Sequence, residues 1–599
     1  MRKLFLLALL VLGATPAARS ADPYVGYIYP AGIRAGTTNR VVVCGQFFWN
    51  IRDFDAGEGV KVLSWEMVPA FPVPTGDQRR YLVQWLDGIA RGDRTQPRLP
   101  VENEHYDEWR SNRWYSVLGD LDRGQLELVE RFLFIPRNAL QMTPALSQKI
   151  LVTLAVEPGA KPGPREFRVF GMAGASPPRP LLITTEPRLS EPHYVPPHRP
   201  QPLPRIVETV PCVLDGQIMP GETDVWQIEL KKDRTLTLRA TARELQPYIG
   251  DAVPGFFNPV LRVTGPGGRE IAFADDYFYH PDPVLTFTAP EDGTYAVEIR
   301  DNLYRGREDF VYSVDVREGD VRPALRDLPL MPSPDWSVPA DAVVRTFRDV
   351  LDRPGRVREH DFDVEAPCEL VFDVLARRVG SPLDARLSVW RGATFVARVD
   401  DVTNAVHVGN VIQAECDPVG RVRLEAPGRY TVRIEDEARK GGPEFTYELR
   451  IHRPRPRFEV WCRKSGFTLR SWFGGAPVEF EVIRRDGFDG GVRLERNDLV
   501  QFGRPEIPSA SNRVSCTIVS RLTKPGAPTN LTLYASAVVD GCRVQVPVVP
   551  ANEYNQAFAW NHLVPARTFV LKSLPGTPPR KSPPPKRAKP VTGRTASPR

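Results

Sequence analysis

The chain has 599 residues but only eight His, seven Cys and six Met, so it is short of the side chains that most often hold metals or move protons. No Cys-x-x-Cys pair occurs, which excludes the common zinc and dithiol-redox arrangements. There is no Gly-x-Ser-x-Gly nucleophile turn, no His-Glu-x-x-His, and no Gly-rich phosphate loop ending in Lys-Ser or Lys-Thr, so the usual hydrolase and nucleotide signatures are missing. His105, His193, His198, His280 and His407 are scattered without a shared spacing. No catalytic constellation is legible. After the first residues no apolar run approaches the roughly 20 residues needed to span a bilayer.

Positive charge is also scarcer than the formal +6 implies. Eight Lys or Arg and no acid lie between Lys572 and Arg599, and Arg2, Lys3 and Arg19 lie at the start, which leaves a formal −5 on the body between them. That body has no basic footprint for nucleic acid.

What the chain has in excess is proline, 61 residues, about twice the ordinary share. Arg2 and Lys3, the apolar stretch Leu4 to Ala14 and the small residues Ala17, Ala18, Ser20 and Ala21 read as a secretory signal over residues 1–21. Export permits disulfides, with Cys368 and Cys416, or two of Cys462, Cys516 and Cys542, as candidate pairs, while buried free thiols are the plainer reading and an odd count leaves at least one over.

The most informative feature is an internal duplication. Asp282 to Tyr312 and Asp417 to Tyr447 align without a gap at an offset of 135 residues: Asp282-Pro283 with Asp417-Pro418, Gly293 and Tyr295 with Gly428 and Tyr430, Asp301 with Asp436, Phe310 and Tyr312 with Phe445 and Tyr447. Apolar residues alternate with polar ones in both copies, as in Trp226, Ile228 and Leu230 or Leu370, Phe372 and Val374, which is the pattern of half-buried strands. The expected fold class is mainly β: tandem β-sandwiches following an N-terminal β domain with a helical insertion.

The domain plan is a β domain over 22–185 with a helical insertion over about 76–145; a Pro-rich linker over 186–205; a first sandwich over 206–318; a linker over 319–341; a second sandwich over 342–452; an Ig-like sandwich over 453–571; and a basic, Pro-rich tail over 572–599 expected to be disordered. Tyr81, Leu82, Trp85, Leu86 and Ile89 mark the insertion by helical spacing, with Trp109 and Trp114 as core or ligand platforms.

Asn258-Pro259, Asp275-Asp276, Asp282-Pro283 and the run Leu285 to Asp301 resemble the bacterial pre-peptidase C-terminal (PPC) domain, and the second copy resembles it with ten extra residues between Asp401 and Asp417. The segments Tyr27 to Thr38, Pro136 to Gln141, Pro162 to Arg168 and Arg484 to Gly490 make the whole chain similar to exported multi-domain proteins of planctomycete-type bacteria. The resemblance implies two PPC-like sandwiches that do no chemistry themselves, with an extracellular polysaccharide, a matrix protein or an envelope component as partner. The alternative is an accessory that captures substrate for a separate exported peptidase or glycosidase.

The acid-rich edges of the two copies, Asp275, Asp276, Asp282 and Asp301 with Asp400, Asp401, Asp417 and Asp436, are the candidate metal site. Calcium takes six to eight oxygens from flexible loops, while Asp also favours turns for backbone reasons. Tyr277, Phe278 and Tyr279 beside them suit stacking on a sugar or peptide, or core and loop-anchoring roles, which such aromatic residues fill more often. Arg91-Gly92-Asp93 spells an integrin-type tripeptide, which chance also supplies.

Overall fold

A computed structural model describes residues 21–68, 84–88, 92–93, 144–191, 204–246, 256–278, 280–324, 338–400, 417–556 and 560–578. Most of the signal, the insertion and the tail lie outside the described residues, as do Arg91, His105, Trp109, Trp114, His193, His198, Tyr279, Asp401, His407 and Cys416.

The architecture is almost wholly β. The first domain comprises β1 (Tyr24–Tyr29), β2 (Gly32–Arg34), β3 (Thr38–Gln46), β4 (Asp53–Asp55), β5 (Val60–Met67), β6 (Gln148–Val156), β7 (Gly163–Phe170) and β8 (Arg179–Thr184). Two four-stranded sheets, β1-β3-β6-β5 and β2-β8-β7-β4, enclose one core in which Val41, Val43, Ile150 and Val152 meet Phe167, Val169, Leu181 and Ile183. The insertion connects β5 to β6, which pair antiparallel. Within it, residues 84–88 are helical with Trp85 and Leu86 buried.

Part of the expected linker is sheet instead. β9 (Arg188–Ser190) runs parallel to Val213–Asp215, and β10 (Arg205–Val207) runs parallel to Trp226–Ile228. Pro-rich sequence can add to a sheet edge because an edge strand need not donate every N–H.

The duplicated sandwiches follow. The first has β11 (Cys212–Gln217), β12 (Asp224–Leu230), β13 (Thr235–Thr241), β14 (Pro259–Thr264), β15 (Glu270–Ala274), β16 (Val284–Thr288), β17 (Gly293–Asp301) and β18 (Val311–Glu318). The second has β19 (Val343–Val350), β20 (Arg358–Val364), β21 (Cys368–Leu375), β22 (Ala385–Arg391), β23 (Thr394–Val399), β24 (Val419–Leu424), β25 (Gly428–Asp436) and β26 (Thr446–His452). The first contains sheet orders β16-β13-β18-β11 and β12-β17-β14-β15; the second contains β24-β21-β26-β19 and β20-β25-β22-β23. Every strand maps onto its counterpart, so the sequence repeat is a repeat of topology. Each copy has one core fed by both sheets, with Trp226, Leu238, Tyr295 and Val314 in the first and Phe362, Phe372, Tyr430 and Leu449 in the second.

The last domain joins a large sheet, which includes Arg457–Cys462, Gly475–Arg485, Arg513–Ser520 and Cys542–Gln556, to a three-stranded sheet of Gly466–Arg470, Gly526–Leu531 and Phe569–Leu574. Its final strand extends three residues past the boundary expected at 571. Phe458, Phe480 and Val482 meet Phe467, Leu469 and Phe569 in its core. Arg484 to Gly490 makes the turn after the long strand, with Asp486 and Gly487 at positive φ.

The domains are not independent beads. Arg168, fully buried on β7, donates through Nη2 to Glu166 at 2.7 Å, to the Ser465 hydroxyl at 3.3 Å and to the Thr568 carbonyl at 2.9 Å. Glu166 in turn accepts the Arg567 N–H at 2.6 Å. Arg179 on β8 lies between the rings of Tyr24 and Tyr554. Phe170, Ala175 and Val570 form an apolar cluster beside these polar contacts. The first domain is therefore docked on the last. It also meets the first sandwich, where Tyr27 and Lys149 both reach Glu308, at 3.2 and 2.7 Å.

Candidate functional site

The acidic landmarks separate into two kinds. Asp282, buried just before β16, accepts the N–H groups of Ala242, Arg243 and Glu244 at 2.9, 2.8 and 3.2 Å. Asp417 accepts those of Ala376, Arg377 and Arg378 at 2.9, 2.8 and 3.0 Å. Each thus closes the short 3₁₀ turn that ends one strand of its copy, satisfying donors that would otherwise be stranded in the interior.

Asp301 and Asp436 end β17 and β25 in the same way. Asp301 takes the N–H groups of Asn258, Leu303 and Arg305 at 2.9, 3.0 and 3.1 Å, and the Arg305 guanidinium as well. Asp436 takes those of Asp384 and Lys440 at 3.0 and 2.8 Å. Asp275, Asp276 and Asp400 are exposed, and Asp400 pairs with Arg398. Among the described residues no group of three or more His, Cys, Asp or Glu is arranged to hold a metal. The carboxylates of the four buried acids serve as acceptors for backbone donors.

Other titratable groups are shifted but enclosed. Burial, then the charges of Glu191 and Glu222, push the Asp224 carboxyl well above its usual range, and it accepts the Tyr312 hydroxyl at 2.7 Å. Asp215, raised by burial, is held by Arg188 at 2.8 Å. The Arg188 pair ties the linker strand to the first sandwich.

The register places the open loops. β14 pairs with β15 through Leu261 and Ala274, and with β17 through Pro259 and Asp301, so the chain leaves β15 and β17 at one end of the sheet, about 10 Å apart. From β15 comes Tyr277, whose ring lies 4.6 Å from that of Phe278 and whose hydroxyl donates to the Pro323 carbonyl at 3.3 Å. Phe278 is exposed with φ 59°. From β17 come Leu303 and Tyr304, 68% and 57% exposed.

Tyr304 is fixed rather than loose. Its N–H donates to the Asp301 carbonyl at 3.0 Å, its φ is 56°, and the Arg300 guanidinium lies 4.3 Å from its ring centroid. Arg300 itself is tied by Nη1 to the Asp301 and Asn302 carbonyls at 3.0 and 3.3 Å. One face of the ring is covered by a cation, and the ring's orientation is set before any ligand arrives.

The second copy is an internal control for this loop. Arg439, 135 residues after Tyr304, has φ 58° and donates its N–H to the Asp436 carbonyl at 2.9 Å. The same left-handed turn thus carries a tyrosine in one copy and an arginine in the other. Ala438 stands where Leu303 does. The fold requires the Asp and the turn, and leaves the identity of the exposed residue free. Sequence reasoning noted Phe278 beside the candidate acids and passed over Leu303 and Tyr304, although comparing the two copies at that offset exposes the difference.

No protein-family model matches the chain, and no curated protein matches it. Among solved structures, an FMN-binding β-glucuronidase from Facaelibacterium prausnitzii is 13% identical over 34% of this chain and 34% of its own, with a TM-score of 0.19. The chain therefore spans about a third of that enzyme. The Bacteroides ovatus mixed-linkage glucan SGBP-B, solved with a heptasaccharide, is 7% identical over 70% of this chain and 72% of its own, with a TM-score of 0.13. A putative secreted protein from Eubacterium rectale is 7% identical over 40% and 73%, with a TM-score of 0.13. Scores this low carry no inference about activity. No helix among the described residues is long and apolar enough to cross a membrane.

Proposed function

We propose that the protein is an exported, non-catalytic binding or scaffolding protein of the cell envelope or extracellular space, built on two PPC-like sandwiches, and that its first sandwich takes an extracellular polysaccharide at the loop end carrying Phe278, Leu303 and Tyr304. The observation that carries this reading is the single turn type holding Tyr304 in one copy and Arg439 in the other. An exposed aromatic that the fold does not need, braced by Arg300, suits stacking on the apolar face of a sugar ring. The buried acids support a non-catalytic role, because their strongest interactions are with backbone donors, core tyrosine and arginine.

The test is a polysaccharide array probed with the mature chain and with Tyr304→Ala. Binding by the parent that falls about tenfold in the variant, at unchanged melting temperature, is the expected result. Equal binding by both proteins would remove the sugar reading of this loop.

A further inference from the structure

The second sandwich carries an aromatic pair of its own, on a sheet face rather than on a loop. In the sheet β20-β25-β22-β23 the residues that do not feed the core alternate outward. The register sets Asp361 opposite Thr431, Thr431 opposite Trp390 and Trp390 opposite Phe395, so these four form one row across all four strands, about 14 Å long. The Trp390 and Phe395 rings meet edge to face at 5.4 Å. The Trp390 indole N–H donates to the Ser388 hydroxyl at 2.9 Å, and the Arg433 guanidinium lies 4.5 Å from its ring centroid. Neighbours on its own strand and on the next one therefore fix the half-buried indole, while Phe395 beside it is 54% exposed.

The first sandwich shows that the fold does not require this pair. Pro259 lies opposite Asp301 and Ala385 opposite Asp436, so β14 and β22 share a register that matches Thr264 to Trp390. Thr264 pairs with Glu270 where Trp390 pairs with Phe395, and Glu298 stands 135 residues before Arg433. The same surface is polar in one copy and aromatic in the other.

The charges of this face are satisfied within it. Arg433 donates to Glu359 at 2.8 Å, Arg429 and Thr431 both donate to Asp361 at 2.6 Å, and Arg386 reaches Glu435 at 3.0 Å and Glu437 at 3.1 Å. Arg398 pairs with Asp400 and Glu437, Asp363 lies opposite Arg429, and Arg391 at the hairpin donates to the Pro427 carbonyl at 2.8 Å. A charged ligand would have to break these pairs, whereas an uncharged one leaves them in place. Within these four strands Phe395 is the one exposed large apolar side chain, and a single ring falls far short of the roughly 800 Å² that a protein partner buries on each side.

We propose that this row binds an uncharged polysaccharide, as a second sugar site separate from the Tyr304 loop. Phe395 and the exposed part of Trp390 take the apolar face of a pyranose ring, and Ser388, Thr431 and Asp361 meet hydroxyl groups along the row. The proposal rests on the polysaccharide reading for its class of ligand and on nothing in the Tyr304 loop. Two sites on one chain hold a polymer more tightly than either does, because the second contact is intramolecular.

The experiment is binding of the mature full-length chain to immobilised β-glucan, galactomannan and dextran, with alginate as the charged comparison. Binding to at least one neutral polymer should withstand added salt. The double variant W390T/F395E, which writes the first copy's residues at the matched positions, should lose about tenfold or more in apparent affinity at unchanged melting temperature. Phe395→Ser, at an exposed position, gives the same test should the double variant misfold. Binding that falls in Tyr304→Ala but holds in both Phe395 variants overturns this proposal and leaves the loop reading standing, and a fall in the Phe395 variants alone supports it without the loop. Retention by alginate only, or by none of the four polymers, also overturns it.

Discussion

Arg168 Nη2 donates to the Thr568 carbonyl at 2.9 Å across 400 residues of sequence. The same guanidinium serves Glu166 and Ser465, so one buried cation joins the first domain to the last. Replacing Arg168 with Met leaves Glu166 and Asp55 without their buried counter-charge. The expected loss is about 3–5 kcal/mol of stability, read by denaturant unfolding, with a larger radius of gyration by small-angle scattering as the two domains separate. An unchanged radius would mean that the remaining contacts, among them Arg179 with Tyr554 and the apolar patch of Phe170, Ala175 and Val570, suffice for docking.

Asp282 and Asp417 perform the same task in the two sandwiches, so the same change should cost the same in each. Asp282→Ala and Asp417→Ala are each expected to destabilise by about 2–4 kcal/mol. Melting with and without chelator should give the same loss. A calcium-dependent difference abolished by Asp282→Ala would favour the metal reading of these acids.

His280 supplies a pH signature specific to the first sandwich. Burial disfavours its charged form, but the 2.7 Å contact of its Nε2 with Glu244 and the nearby Asp282 outweigh that and raise its pKa above the ordinary 6.5. A raised histidine contributes stability fully below the unfolded value, and that contribution is lost as pH rises through the folded value. The melting temperature of the parent relative to His280→Gln should therefore be highest in mildly acidic buffer and fall as pH increases. A constant difference across that range would show that the pair is not ionic.

The described cysteines, Cys44, Cys212, Cys368, Cys462, Cys516 and Cys542, are all free thiols, so the candidate pairs among Cys462, Cys516 and Cys542 give way to the free-thiol alternative. The reason is positional: Cys462 and Cys516 sit on strands that flank the central strand Gly475–Arg485, paired with Phe480 and Val478 respectively. Burial pushes the thiol of Cys462 up to about 12 and that of Cys516 to about 11. Alkylation of the native protein should label exposed Cys542 first, with Cys44, Cys212 and Cys462 reacting only after unfolding. Reductant should leave the melting temperature unchanged.

Much of the two sandwiches was readable from the chain because their information is local. Alternating residues such as Tyr295, Val297 and Ile299 specify a strand face, and the repeated Asp, Gly and Tyr mark where each strand stops. The docking of first domain on last was not readable. Arg168 and Arg179 sit in runs that look like ordinary alternating strands, and nothing near them in sequence announces Thr568 or Tyr554. Arg188 to Ser190 looked like linker for the complementary reason: its partner Val213 to Asp215 decides its conformation, whereas its own composition favours an extended spacer. For the candidate loop, the local pattern located the turn after Asp301 but could not say that Tyr304 would stand clear of the surface.

The partners of Arg168 also dictate an order of assembly. A ribosome finishes β7 some 400 residues before it adds Thr568, so through most of synthesis the first domain carries a half-made surface with Phe170, Arg168 and Arg179 awaiting their counterparts. Completion must come last, after both middle sandwiches exist, and it closes a contact of very high sequence separation, which is slow to find. A chain that terminates before Phe569 would fold each piece it has and still present an open seam to whatever it meets.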